Sequence, residues 1–280
     1  MRFVLLFLFC VTSALWAESC PNILVSIPAY RQIVQEMAGE GVRVQSLIPP
    51  GISFHTYEPR PKDIEEAFSS ILWFYIGDPF EEKIARALTS HQSTIFRVDL
   101  RKGLSLINNS CCHAGADPHI WLDPRMMKVQ LSTIGEALKK AFPEKAEDIE
   151  RRLGVLMGKA DALTEQVDRL LRPMKGKIIV VAHGAYAYLC REYGFEQICV
   201  EKEGKEPTLG SFTSLIQKAQ AFHVKTIFSI KQNPKIGIER VGDILGAKIV
   251  ELDPYTENYF DNMLSTAEHF YEAMHEESAD

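Results

Sequence analysis

From residue 22 onward, short apolar stretches alternate with segments whose apolar positions recur at helical spacing. Short apolar runs are typical of buried strands, and longer periodic segments are typical of amphipathic helices. Strands separated by helices in this way form βαβ units with a mostly parallel sheet. The predicted strands of the first half are 22–27, 42–48, 71–76 and 94–98, and the predicted helices are 30–38, one opened by Pro61, and 79–88.

The same alternation restarts at Lys177. The stretches 22–30 and 177–186 look like the openings of two related lobes, a weak repeat that fits a duplicated architecture. We therefore expect an α/β fold of two lobes, each a mostly parallel sheet flanked by helices. The predicted strands of the second half are 177–182, 196–200, 226–230 and 248–252, and the predicted helices are 185–193, 211–222, 236–245 and a closing helix.

A long helical segment separates the two halves. Between 144 and 171 the chain has no proline, and its apolar positions recur at helical spacing. A helix of about 28 residues would be about 42 Å long, enough to run the height of both lobes as a rigid linker. The predicted organisation is a signal peptide (1–17), an N-terminal lobe (18–143), the linker helix (144–172) and a C-terminal lobe (173–280).

The first 17 residues have the pattern of a secretory signal peptide: a basic start at Arg2, an apolar run over 3–11 and small residues over 12–17. That run is too short to span about 30 Å of hydrocarbon comfortably, which disfavours a membrane anchor. Cys20 lacks the small-residue context of a lipid-modified cysteine. We therefore expect an exported, periplasmic protein. The formal net charge of −6, with no basic stripe, argues against nucleic acid as a partner.

Five cysteines lie beyond the predicted signal peptide, so at least one thiol is free or paired externally. Export makes disulfides feasible. Cys190 and Cys199 lie nine residues apart, across a helix end and the following strand, and are the predicted pair. The run Cys111-Cys112-His113 has two interpretations, a soft metal site or a redox or disulfide feature.

Three histidines, 64 residues apart, lie where predicted strands end: His55, His119 and His183. Open α/β folds collect their ligands in the loops that leave the carboxyl ends of strands. Asp253 closes another apolar run in the second half. Three neutral imidazoles and one carboxylate make a complete tetrahedral donor set, which points to metal capture.

From about residue 22 to the C-terminus, the chain resembles the metal-binding receptors of ABC-type importers, the cluster A-I family that serves zinc and manganese uptake. Three motifs carry the resemblance: Pro-Gly-x-x-x-His-Thr-Tyr-Glu-Pro around His55, Asp-Pro-His-x-Trp-Leu-Asp-Pro around His119, and His-Gly-Ala-Tyr-x-Tyr-Leu around His183. The resemblance implies two metal-binding lobes joined by one long rigid helix, with the metal in the cleft between them.

The residues on the family's four ligand positions are His55, His119, His183 and Asp253. In zinc members of the family the fourth position can go to water or another carboxylate, and Glu58 is the alternative here. Asp117 and Asp123 are expected to cap or orient the His119 loop.

The donor set favours zinc, because manganese prefers more oxygen donors and higher coordination. Manganese or iron remains the alternative, since relatives with the same donor set include some that handle these ions. The long His-rich loop common in zinc receptors is missing. The family pattern also breaks at 230–234, where relatives usually have an acidic residue and a longer turn.

The resemblance implies a monomeric receptor that delivers its metal to the permease of an ABC importer at the inner membrane. Acidic pairs such as Glu65 and Glu66, or Glu81 and Glu82, are candidate docking groups or simply solvated helix faces. The rigid linker predicts small rocking on metal binding in place of a wide hinge closure. The main rival is a secreted zinc hydrolase, although the sequence has no His-Glu-x-x-His motif. Nothing in the sequence supports a separate adhesive module.

Overall fold

The computed structural model describes residues 20–108, 115–201 and 208–276. The predicted signal peptide and the Cys111-Cys112-His113 run lie outside these ranges. In the described ranges, no helix is both long enough and apolar enough to cross a membrane.

Two four-stranded sheets, parallel throughout, form the framework. The first contains β1 (Asn22–Val25), β2 (Arg43–Ser46), β3 (Ser70–Tyr75) and β4 (Phe96–Asp99), and the second contains β5 (Ile178–Val181), β6 (Glu196–Cys199), β7 (Thr226–Ile230) and β8 (Lys248–Leu252). The strand orders are β2-β1-β3-β4 and β6-β5-β7-β8, so both sheets have the same topology. The inner strands β1 and β5 are buried along their whole length, which explains their nearly continuous apolar sequences.

Helices flank both sheets, and the predicted α/β fold of two lobes is confirmed. The helices are α1 (Arg31–Ala38), α2 (Pro61–Phe68), α3 (Pro79–Ser90), α4 (Pro124–Ala141), α5 (Ala146–Leu171), α6 (Ala187–Tyr193), α7 (Leu209–Ala221), α8 (Ile236–Leu245) and α9 (Tyr259–Glu276). Helices α2, α3 and α4 each begin with a proline in the first turn. Backbone N–H groups in the first turn have no acceptor within the helix, so the N–H that proline lacks costs no helical hydrogen bond. Asp78 and Asp123 accept hydrogen bonds from backbone N–H groups at the starts of α3 and α4.

Helix α4 was not among the predicted elements. It follows the Asp123-Pro124 start signal and buries an apolar face that includes Met127, Leu131 and Leu138. This face packs mainly against α5, the predicted linker helix. At 26 residues α5 is about 39 Å long. The exact borders of the two lobes on either side of it stay a prediction.

One hydrophobic cluster extends through both lobes, and its buried residues run from Ile23 to Met274 and include the inner face of α5. A second, smaller cluster, which includes Ile178 and Leu215, lies within the C-terminal lobe. Polar contacts also cross between the lobes. Trp121 Nε1 donates to the Pro254 carbonyl at 2.8 Å, and the Arg31 guanidinium pairs with both oxygens of Glu257. The lobes are therefore held by packing and by charge as well as by the linker.

The predicted Cys190–Cys199 disulfide is wrong. Cys190 is a buried free thiol, Cys20 is an exposed free thiol, and Cys199 is disulfide-bonded. Cys190 and Cys199 are therefore not paired with each other. Cys190 packs in the core cluster from the inward side of α6, and short sequence spacing does not tell which way a helical side chain points. Burial raises the pKa of this thiol well above its usual range.

Glu81 is not a surface residue, which corrects its assignment as a docking group. Only 3% of it is exposed, and its carboxylate accepts hydrogen bonds from the backbone N–H groups of Ile76, Gly77 and Asp78. Burial raises the pKa of Glu81 to about 7. Its neighbour Glu82 lies on the exposed face of α3 with 70% of its side chain accessible.

Candidate metal centre

Three imidazole rings meet between the lobes. The Nε2 atoms of His55 and His119 are 3.3 Å apart. One ring nitrogen from each of His55, His119 and His183 lies within 4.8 Å of the others, and ring centroids are 4.6–5.2 Å apart. The fold therefore brings the three histidines singled out in the sequence to one point.

The three residues reach this point from different local settings. His55 lies in a 3₁₀ turn (Phe54–Thr56) between β2 and α2, and His183 follows β5 by two residues. His119 does not end a strand, contrary to expectation. It follows an isolated antiparallel bridge between Asn108 and Ala116. Each setting nevertheless leads from the carboxyl end of a parallel sheet, so the side chains converge.

Asp117 holds the His119 ring. Its Oδ1 atom lies 2.8 Å from Nδ1 of His119 and also accepts a hydrogen bond from the His119 backbone N–H at 3.0 Å. Both residues are fully buried. A proton on Nδ1 leaves the lone pair on Nε2, the atom that faces His55. The orienting role predicted for Asp117 is confirmed, and Asp123 caps α4 as predicted.

Asp78 stands behind His55 in a similar way. Its Oδ2 atom lies 3.6 Å from Nδ1 of His55, while its Oδ1 caps α3. Burial lowers the pKa of His55, and the nearby carboxylate opposes this only in part. His55 is therefore neutral at neutral pH, with Nε2 turned toward Nε2 of His119. With carboxylates on the Nδ1 side of both rings, the two Nε2 atoms 3.3 Å apart are the nitrogens available to a shared cation.

An aromatic wall borders the histidines. The ring of Phe54 packs against His119, Trp121 and Tyr255 at centroid distances of 5.4–5.9 Å. All four residues are almost completely buried. This wall keeps water away from one side of the site, and low polarity there strengthens the interaction of a cation with the nitrogen donors.

The fourth sequence-predicted residue, Asp253, is engaged within its own lobe. Its Oδ1 atom accepts hydrogen bonds from Gln232 Nε2 at 2.6 Å and from the Tyr255 backbone N–H at 3.2 Å. Its Oδ2 atom lies 3.4 Å from Nζ of Lys231. In the described chain, the metal-competent cluster consists of the three histidines. Glu58, the alternative fourth ligand, is 76% exposed and paired with Lys83.

Comparison with known proteins decides the family. The family model for the zinc-uptake complex component A, periplasmic, matches residues 23–273. The chain belongs to this family. The resemblance read from the three histidine motifs is thereby confirmed. Members of the family are extracytoplasmic solute-binding receptors of ABC importers, and they bind metal ions.

Individual relatives are similar to this chain over nearly its whole length. A protein of Chlamydia muridarum, named for metal binding, is 31% identical over 253 residues, which are 89% of this chain and 90% of that protein. A crystal structure of ZnuA superposes with a TM-score of 0.85 at 27% identity, covering 91% of this chain and all of that one. The manganese complex of FpvC from Pseudomonas aeruginosa gives a TM-score of 0.79 at 25% identity, covering 92% and 99%.

Three residues around the family's ligand positions escaped the sequence analysis. Asp78 stands behind His55, and the Tyr188 hydroxyl donates to the Asp117 carbonyl at 2.6 Å from the other lobe. Lys231 pairs with Asp253. The sequence did contain a signal for Asp78, because a carboxylate between a predicted strand and a helix that begins with proline indicates a helix cap at the carboxyl end of the sheet. No sequence signal places Tyr188 or Lys231, because their contacts join distant segments.

Proposed function

We propose that this protein captures a divalent transition metal in the cleft between its lobes and delivers it to the permease of an ABC importer. Zinc is the proposed ion. The convergence of His55, His119 and His183 carries this proposal. Imidazole nitrogens that converge on one point are the donors that zinc favours. The metal is cargo, so the site must hold it and also give it up.

Asp253 is the proposed fourth ligand. It lies at the end of β8, at the carboxyl edge of the second sheet, and a carboxylate would complete four-coordination. Two ligands would then come from each lobe. The N-terminal lobe (18–143) would supply His55 and His119, and the C-terminal lobe (173–280) would supply His183 and Asp253. Metal binding would link the lobes across the cleft.

Manganese is the alternative cargo. Its support is the similarity to FpvC, which was solved in complex with Mn²⁺. Three nitrogen donors favour zinc over manganese, and binding strength in general follows the Irving–Williams order, in which zinc lies well above manganese. Parallel titrations with both ions decide between them.

A receptor role is favoured over catalysis. Family membership supports it, and the carboxylates beside the histidines, Asp117 and Asp78, orient the rings through Nδ1. A zinc hydrolase would need a carboxylate placed to activate a metal-bound water. Zinc-loaded protein should accordingly show no metal-dependent hydrolysis of ester or peptide substrates, and such hydrolysis, lost with His119→Ala, would favour the enzyme.

The proposal places the mature protein, after removal of residues 1–17, in the periplasm as a monomer. Sizing chromatography of the secreted protein and mass spectrometry of its N-terminus test both points. The exposed Glu65 and Glu82 and the partly buried Glu66 remain candidate contacts with the permease.

The decisive experiment measures zinc and manganese binding to metal-free protein by competition with a chromophoric chelator and by thermal shift. We expect zinc to raise the melting temperature of the wild type and to have no such effect on His119→Ala. The control is His269→Ala, because His269 on α9 is 37% exposed, lies 3.9 Å from Glu272 and is outside the metal-competent cluster. Undiminished zinc binding in the triple variant His55→Ala/His119→Ala/His183→Ala would overturn the proposal.

A further inference from the structure

The carboxylate of Asp253 has donors on both of its oxygens. Oδ1 accepts two hydrogen bonds, one from the Gln232 amide and one from the Tyr255 backbone. Oδ2 is paired with the ammonium group of Lys231 at 3.4 Å. Asp253 is about one-quarter exposed and Lys231 is 57% exposed, so this pair is accessible to solvent.

The backbone fixes this arrangement. The turn after β7 is tied to the end of β8 by a hydrogen bond from the Lys231 N–H to the Leu252 carbonyl at 3.0 Å. A second bond, from the Asn233 N–H to the Ile230 carbonyl, closes the turn. Lys231 and Gln232 are therefore held beside Asp253 by main-chain contacts.

We propose that Lys231 is a positioning residue that competes with the metal for Asp253 and thereby sets metal affinity and selectivity. This inference rests on the proposed function. Oδ1 is held by two donors of fixed position, so Oδ2 is the oxygen that can turn to a metal. Lys231 occupies Oδ2 first. Metal binding must replace the ammonium group with the metal ion, and Gln232 keeps the other oxygen in place.

The competition predicts an effect on selectivity as well as on affinity. Zinc is satisfied by three imidazoles and a water molecule, an arrangement known from zinc sites with three protein ligands. Manganese depends more on anionic oxygen donors. A lysine that withholds Asp253 therefore disfavours manganese more than zinc. The pair is solvent-accessible, so its effect on affinity is modest, about two- to fivefold.

The test compares Lys231→Ala with Lys235→Ala, each in the wild type and in the Asp253→Asn background. Lys235 is a matched control, because it has similar exposure and pairs with Glu251 on the same lobe without touching Asp253. Dissociation constants for zinc and manganese are measured by chelator competition at low and high salt. Melting temperatures of the metal-free variants check that each is folded.

We expect Lys231→Ala to bind both ions about two- to fivefold more tightly, with the larger gain for manganese, and to lose most of that gain at high salt. In the Asp253→Asn background the same substitution should have no effect, because the interaction it removes is already gone. Lys235→Ala should match the wild type throughout.

Three results would overturn the inference: unchanged affinity in Lys231→Ala, an equal gain in Lys235→Ala, or a gain that persists with Asp253→Asn. If the wild type binds zinc through its histidines and one of these results appears, only the inference fails. A wild type that binds neither ion overturns the proposed function, and the inference with it.

Discussion

The Nδ1 atom of His119 lies 2.8 Å from Oδ1 of Asp117, and both side chains are fully buried. The same oxygen accepts the His119 backbone N–H. One carboxylate thus fixes the position of the loop, the orientation of the ring and the nitrogen that carries the lone pair. The Tyr188 hydroxyl, from the other lobe, donates to the Asp117 carbonyl, so the second lobe also contacts this orienting residue.

Asp117→Asn is expected to weaken zinc binding by about 10- to 100-fold, because the ring loses its anionic partner while the shape of the side chain is kept. Chelator competition measures the change. Asp123→Asn is the matched control, since Asp123 is equally buried and caps α4 without contacting a histidine. It should lower stability but leave zinc affinity near that of the wild type. Equal affinities for Asp117→Asn and the wild type would contradict the orienting role.

Arg125 joins three helices, and Arg125→Ala should lower the free energy of unfolding by about 1–3 kcal/mol. Arg125 Nη2 donates to Asp168 on α5 at 2.6 Å, and Nη1 donates to Tyr193 on α6 at 2.7 Å. Partial burial alone would raise the pKa of Asp168, but its hydrogen bonds from Arg172 and Arg125 lower it to about 2.

Urea unfolding of the metal-free protein measures the Arg125 effect. Lys128→Ala is the control, because Lys128 also joins α4 to α5 but pairs with the exposed Asp161. Exposed pairs contribute little, so this variant should lose less than about 1 kcal/mol. Equal losses in the two variants would show that the network at Arg125 adds nothing beyond an ordinary surface pair.

Glu81 should make stability depend on pH. Its folded-state pKa of about 7 lies above the ordinary value of 4.5, so its protonated form is favoured in the folded state. The resulting stabilisation is fully present below about pH 4.5 and is lost as the pH rises through 7. Relative to Glu81→Gln, the wild type should lose on the order of 2–3 kcal/mol between pH 5 and pH 8.

Urea unfolding at a series of pH values, without metal, tests this expectation. The control is Glu82→Gln, one residue further along α3 and exposed. Its stability difference from the wild type should stay flat across the same pH range. A flat difference for Glu81→Gln as well would mean that the buried carboxylate is charged throughout.

Metal binding should change the shape of the molecule only slightly. The lobes are joined by a hydrophobic cluster common to both, the continuous helix α5, the Trp121–Pro254 hydrogen bond and the Arg31–Glu257 pair. Small-angle scattering with and without zinc should give nearly superimposable profiles. Hydrogen exchange measured on the same samples should change only in loops. A large decrease in radius of gyration on adding zinc would instead indicate a wide hinge closure.

The sequence by itself determined the alternation of strands and helices, the long linker helix and three of the metal-binding candidates. These features are local or periodic: a buried parallel strand needs an apolar run, and a helix needs apolar positions at its own spacing. His55, His119 and His183 could be recognised because each carries its motif in the adjacent residues. Even α4, which was missed, had a local signal in Asp123-Pro124 and the apolar residues after it.

Only the tertiary structure decided which side chains meet. It buried Glu81, left Cys190 unpaired, placed Asp78 and Asp117 behind the rings, and set Lys231 against Asp253. Most of these outcomes depend on the direction of a side chain or on contacts between segments far apart in the chain, which no local pattern encodes. The sequence could therefore predict the candidate donors of the site, while the residues that contact those candidates follow from the packing of the two lobes.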